Sequence, residues 1–421
     1  MAQPGLTPGR RADAPAGFPA LRHRHFRRYV AGQGLSLVGY WMQSVAQGWL
    51  VYRLSGSELA LGVVGFCTYL PVLLFAPMAG TVADRMRKRR LILLTQSLSM
   101  LVALALGALA ATDLATVPIV ALMAVLSGTV SAFDLPARQS FLVEMVGAED
   151  LPSAIALNAS VFNVARVVGP AIAGTLVATV GEAPCFVANG LSYLALIVVL
   201  AAMPPGRPPA AIAGRAAAIR SGLEYVRRQP VQRALLVALG LVAGVALQTN
   251  VLMPSLAERT FAAGPGGYGL LLTAYGGGAV LSALRLASRH HTAAAHRRHL
   301  LWGLGVFGAG LAGVALSPVY EVALACQVVA GLGMVRYTAT TNTLIQLLVD
   351  DAYRGRIMGL HTVMFMGTAP LGNLLLGAAA VPAGPRPAML VAAAVPLAAL
   401  WWLHGRVVLP DGSRRFPRDA P

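Results

Sequence analysis

The chain has 421 residues, of which 57% are hydrophobic and only 12% charged, whereas an ordinary soluble domain carries roughly 25% charged residues. Its net charge of +17 does not mark a nucleic-acid partner, because the basic residues fall in short breaks between apolar runs rather than along one soluble face. Cys67, Cys185 and Cys326 lie in or beside apolar runs at no metal-ligand spacing, which argues against a disulfide framework, a zinc site or any other metal centre.

A helix that crosses a bilayer needs about 20 mostly apolar residues. Twelve such stretches are expected, near 29–50, 59–82, 91–111, 116–134, 153–179, 184–203, 234–256, 267–287, 300–316, 319–345, 357–380 and 387–404. The fold class is therefore an all-α membrane protein. With the amino terminus inside, 28 of the 33 Lys and Arg fall on the cytoplasmic side. Arg53, Arg259 and Arg386 fall outside, and Arg166 and Arg336 within spans. Positive charge is retained on the cytoplasmic face, so both termini are assigned there.

Residues 1–28 read as a disordered cytoplasmic tail without a cleavable signal. Residues 29–203 form a first six-helix bundle, 204–233 a cytoplasmic linker, 234–404 a second bundle and 405–421 a closing tail. Within the linker, Ile219, Leu223 and Val226 recur at helical spacing beside Arg220, Arg227 and Arg228, the pattern of a short basic amphipathic helix at the membrane surface.

Span 1 places Gln33, Ser36, Tyr40, Gln43 and Gln47 at alternating steps of three and four, with Trp41 and Ser44 alongside. That polar stripe faces either a watery cavity or neighbouring helices. After span 2, Gly80 ends an apolar run, Asp84 follows four residues on, and Arg85, Arg87, Lys88, Arg89 and Arg90 close the loop. Topology-setting charge accounts for the basic residues but not for one acid among them. Span 5 carries Asn158, Asn163, Ala165, Arg166, Gly169, Pro170 and Gly174. Small residues let helices approach closely, and an Arg inside a membrane is costly enough to be a functional candidate. Arg166 either attracts an anionic substrate or neutralises Asp134 at the end of span 4. Gln248, Thr249 and Asn250 in span 7 match the span 1 stripe. Arg336 in span 10 faces the cavity or snorkels to the cytoplasm.

Two faint repeats are offset by 200 residues: Ala83-Asp84-Arg85 with Ala283-Leu284-Arg285, and Gly169-Pro170 with Ala369-Pro370. Duplicated halves with a site between them are a common plan of secondary transporters. The 80–90 loop resembles the G-x-x-x-D-R-x-x-R-R/K loop of the major facilitator superfamily, with Gly80, Asp84, Arg85 and Arg89 in place, and this resemblance implies a gate role for Asp84. Residues 165–174 resemble the superfamily's antiporter motif, with Ala165, Gly169, Pro170 and Gly174 in four of its positions. Residues 133–139, 222–228 and 350–356 are together similar to the branch that contains bacterial enterobactin exporters and related efflux permeases.

The resemblance implies two pseudo-symmetric six-helix bundles in a bacterial inner membrane. It also implies a proton-driven exporter of a small amphipathic molecule, a siderophore or a drug, working by alternating access as a monomer among membrane lipids. An importer or a lipid flippase of the same fold is the alternative. No P-loop, His-x-x-x-His or catalytic-triad spacing argues for an enzyme, and no cofactor is expected. The expected cavity residues are Gln33, Tyr40, Trp41, Gln43, Gln47, Asn163, Arg166, Gln248, Asn250 and Arg336. The candidates for coupling to the proton are Asp84, Asp134 and His361 in span 11.

Overall fold

In lipid each backbone amide must find its partner within the protein, and a helix does this locally, so apolar runs of this length fold as helices. The computed structural model describes residues 18–204, 216–287 and 293–407, and the described residues contain no strand. The tail expected at 1–28, the Pro-rich start of the linker and the closing tail fall largely on residues outside that set.

The first half comprises α1 (Arg24–Ser55), α2 (Glu58–Arg85), α3 (Lys88–Ala111), α4 (Val117–Val180) and α5 (Ala183–Ala201). α4 is a 64-residue helical run that turns at Gly147, whose φ of 74° and ψ of 178° lie outside the helical region. This glycine joins the fourth and fifth expected spans without a loop, because φ > 0 is open to a residue lacking Cβ. The first helix starts at Arg24, earlier than expected. The turn Pro19–Arg22 before it is anchored by Ala20 N–H donating to Ser153 Oγ at 3.3 Å and by His23 Nε2 lying 2.8 Å from Asp150.

The second half comprises α6 (Ala216–Arg228), α7 (Pro230–Gly244), α8 (Met253–Ser255), α9 (Gly264–Ala287), α10 (Ala293–Leu316), α11 (Tyr320–Leu348), α12 (Arg354–Met366), α13 (Ala369–Ala383) and α14 (Pro385–His404). The linker helix α6 docks on α12. Tyr225 stacks on Tyr353 at 4.4 Å and shares a 3.2 Å hydrogen bond with Asp350. Among the described residues, ten helical stretches are long and apolar enough to cross a bilayer. The two arms of α4 count separately, and α1, which carries the polar stripe, completes the expected twelve.

Two spans differ from simple helices. Span 7 runs as α7, then a 3-10 stretch Ala246–Leu252, the single turn α8 and a π stretch Leu256–Thr260. Pro254 cannot donate to the ladder, and Gln248 turns its amide back to Ala243 O at 2.8 Å. Span 11 breaks between α12 and α13 at Gly367 and Thr368, just before Pro370.

The first bundle packs α1, α2 and α3 against α4, with α5 on α1 and α3. In the second, α9 and α10 pack on α11, and α14 packs on α10. The bundles meet along two seams, α2 on α13 and the second arm of α4 on α9. One detail repeats in both halves. Arg89 donates to Leu200 O and Ala201 O at 2.6 and 2.7 Å, and Arg297 donates to Val407 O and His404 O, both at 2.6 Å. In each bundle, an arginine at the start of the third helix donates to carbonyls at or just past the end of the sixth.

Candidate functional site

Between the two halves lies a small cavity of about 30 Å³ lined by Trp41 and Ser44 of α1, Arg166 and Pro170 of α4, Asn250 of the 3-10 stretch, and Tyr268, Leu272 and Tyr275 of α9. The Arg166 guanidinium lies 4.9 Å from the centre of the Tyr275 ring and 5.7 Å from that of Trp41. Cations are attracted to aromatic faces, more strongly where water is excluded. Among the described residues no carboxylate lies within ion-pairing distance of Arg166, and none lines the cavity. The Trp41 indole N–H is buried and has no hydrogen-bond partner.

Backbone contacts fix this geometry. A Cβ added to Gly169 would lie 2.5 Å from Trp41 Cβ and 2.9 Å from Val38 O, so glycine is what lets α1 close on α4. A Cβ on Gly276 would come within 2.9 Å of Arg166 O, so α9 presses on α4 at the arginine itself. Phe162 and Tyr40 meet the Trp41 ring edge-on at 5.7 and 5.8 Å.

The remaining stripe residues separate. Gln33 is 6% exposed and donates to Asn158 Oδ1 at 2.8 Å, and Gln43 accepts from Asn189 Nδ2 at 2.6 Å. Both join α1 to neighbouring helices instead of lining the cavity. Tyr40 is exposed and Gln47 half-buried. Asn163 donates to Ala159 O within its own helix, and Gln248 accepts from Asn373 at 3.0 Å on α13. Arg336 lies away from the cavity, 4.6 Å over the Trp302 ring, with Nη2 2.8 Å from His299 Nδ1. Gln33, Gln43, Gln248 and Arg336, expected to line the cavity, thus contact neighbouring helices and are not among the residues that line this one. Tyr268, Leu272 and Tyr275 were not anticipated. Two tyrosines seven residues apart in a glycine-rich helix were the available signal.

The alternative role for Arg166 is overturned as well. Asp134 pairs with Arg138 one turn along and accepts from Thr95 Oγ1 at 2.6 Å and Gln96 Nε2 at 3.1 Å, so its charge is met without Arg166. At the same end, Gly80 is buried and Asp84 half-buried in the last turns of α2. Arg85 is the last residue of that helix. Arg89 caps α5 within its own half, and Lys88 lies 3.4 Å from Glu144. His361 of α12 stacks on Phe365 at 6.1 Å, with Nε2 buried and without a hydrogen-bond partner.

Ala165, Gly169, Pro170 and Gly174 are all buried. Gly174 meets Gly269 so closely that a Cβ on Gly269 would fall 2.6 Å from Gly174 Cα and 2.7 Å from Pro170 O. In the other seam, a Cβ on Gly62 would fall 2.6 Å from Asn373 O. With Trp49 stacked on Tyr268 at 6.3 Å, these contacts close the halves together at the end that bears Gly56 and Gly264.

A family profile described as transmembrane secretion effector matches residues 15–416. The chain is 27% identical over 353 residues to the staphyloferrin A transporter of Staphylococcus aureus, covering 83% of this chain and 87% of that one. It is 30% identical over 366 residues to the multidrug efflux pump Tap of Mycobacterium tuberculosis, covering 83% of each. Among solved structures, the nucleoside transporter NupG shares the fold with a TM-score of 0.71 at 12% identity, covering 91% of this chain and 98% of that chain.

Proposed function

Because this chain belongs to the transmembrane secretion effector family of the major facilitator superfamily, we propose that it exports a small amphipathic organic anion from the cytoplasm by alternating access. The observation that carries the reading is Arg166, a cation between the two halves, flanked by the faces of Trp41 and Tyr275 with no carboxylate of the described residues beside it. A charge within a membrane span and without a counter-ion is costly, and an incoming acidic group supplies that counter-ion. Trp41 N–H adds a second unspent donor, and the aromatic rings suit a flat, partly apolar body.

The distribution of Lys and Arg supports an orientation with both termini and the 80–90 loop in the cytoplasm, so the closed end faces outward. In that orientation the cavity is loaded from the cytoplasm. Asp84 then latches the cytoplasmic gate once the outside has opened, and an inward proton gradient drives the cycle. The named activities of the staphyloferrin A transporter and of Tap support a siderophore or drug as cargo.

The test is accumulation of a carboxylate siderophore and of a cationic dye in cells making the chain, Arg166→Ala or Asp84→Asn, with and without a protonophore. Export of the anion is expected to fall at least tenfold in both variants and with protonophore, with membrane content unchanged. Anion export indifferent to Arg166→Ala and to protonophore would sink the anion and proton parts of the reading.

A further inference from the structure

At the closed end, an acid that the cavity does not use joins the two halves. Glu58 opens α2 in the first half and is only 4% exposed. It accepts a hydrogen bond from Ser255 Oγ at 2.5 Å, and Arg259 Nη1 lies 3.3 Å away, both from span 7 of the second half. The other arm of Arg259 donates to Gly56 O at 2.5 Å, and its guanidinium lies 5.8 Å from the Tyr52 ring. α13 covers the group, for a Cβ on Gly377 would fall 2.6 Å from Glu58 O.

An acid in the first turn of a helix is favourable for the dipole alone. That reading requires neither burial nor a reach across to the other half, and Glu58 has both. The charged groups around it are few. Arg53 is turned to Glu182 at 2.8 Å, Glu258 is exposed, and α13 carries no ionisable side chain. Among the described residues Arg259 is the one cation within ion-pairing distance of Glu58.

We propose that Glu58, held by Ser255 and Arg259, is the charge latch that keeps the transporter shut at the end opposite its basic loops. α2 and span 7, which carries Ser255 in α8 and Arg259 in the π stretch, belong to different halves, so opening this end must part the carboxylate from both partners. The latch exists in one state only, and a contact of that kind sets the ratio of the two. The inference rests on the alternating-access reading above, but not on the cargo or the driving ion.

The test labels Ser44→Cys, which lines the cavity, with a membrane-impermeant maleimide added outside spheroplasts. The background is the full chain with Cys67, Cys185 and Cys326 replaced by Ala. Glu58→Gln keeps an acceptor for Ser255 and removes only the charge. It is expected to raise the labelling rate about 5- to 150-fold, the range of a typical coupling between states. Arg259→Gln should do the same, the double variant should add little, and the exchanged pair Glu58→Arg with Arg259→Glu should return the rate toward the parent value.

Unchanged labelling in Glu58→Gln, or no recovery in the exchanged pair, overturns the latch. If Glu58→Gln fails to reach the membrane, Arg259→Gln is read by the same rule. Labelling needs neither cargo nor gradient, so a latch that responds while anion export is absent counts only against the proposed cargo. Intact export with unresponsive labelling counts only against the latch.

Discussion

A charged side chain inside a membrane protein must be met by its own surroundings, and the polar residues here divide by how completely that happens. Asp134 is saturated by Arg138, Thr95 and Gln96. Arg89 and Arg297 are spent on helix carbonyls. Arg166 is met by the side chains of Trp41 and Tyr275 and, among the described residues, by no carboxylate. Arg89→Ala and Arg297→Ala should each destabilise the protein by about 1–3 kcal/mol, the loss of charge-assisted bonds to helix-end carbonyls. Thermal melting of detergent-solubilised protein checks this, with transport below the melting point expected to persist. Arg166 and Trp41 were legible in the sequence because a charge in an apolar span stands out from its background. Gln33 and Gln43 were not separable from them, since helical spacing tells which residues share a face and not which neighbour that face meets. Glu58 escaped notice because acids are ordinary at the edge of a span.

At the scale of the element, glycines decide how closely helices approach. The run Gly276, Gly277, Gly278 in α9 gives a sharp contrast. A Cβ at Gly276 would meet Arg166 O at 2.9 Å and one at Gly278 would meet Val328 O at 1.9 Å, both backbone atoms, while one at Gly277 meets nothing within 4 Å. Gly276→Ala and Gly278→Ala are expected to reduce transport at least tenfold or to lower the amount of folded protein. Gly277→Ala should be neutral or stabilising by up to about 1 kcal/mol through helix propensity. Transport assays and melting curves on the three variants distinguish these outcomes. The existence of nearly every helix was legible, since length and apolarity specify it directly. The windings of span 7 were not, because beside the local effects of Pro254 and the Gln248 amide they follow from the pressure of α13, through Gly372, on Gly244, a contact remote in sequence.

For the whole molecule, two halves close at one end through seams that the proposed alternating-access cycle requires to separate. A Cβ on Gly65 would lie 3.0 Å from Asn373 Cβ across the α2–α13 seam, near the roughly 3.5–4.5 Å that a disulfide spans. In a background free of other cysteines, Gly65→Cys with Asn373→Cys should crosslink under oxidant and stop transport, and reductant should restore the activity of the reduced double variant. Transport that continues after complete crosslinking would mean that this seam stays closed through the cycle. Span 7, which carries the partners of Glu58, also holds spare length. A 3-10 helix rises about 2.0 Å and turns about 120° per residue, against 1.5 Å and 100° for an α-helix. Rewinding the seven residues Ala246–Leu252 as α-helix would therefore draw the segment beyond them in by about 3.5 Å and rotate it by about 140°. Ser255 and Arg259 can thus be carried off Glu58 by a local screw motion, with neither bundle bending to allow it.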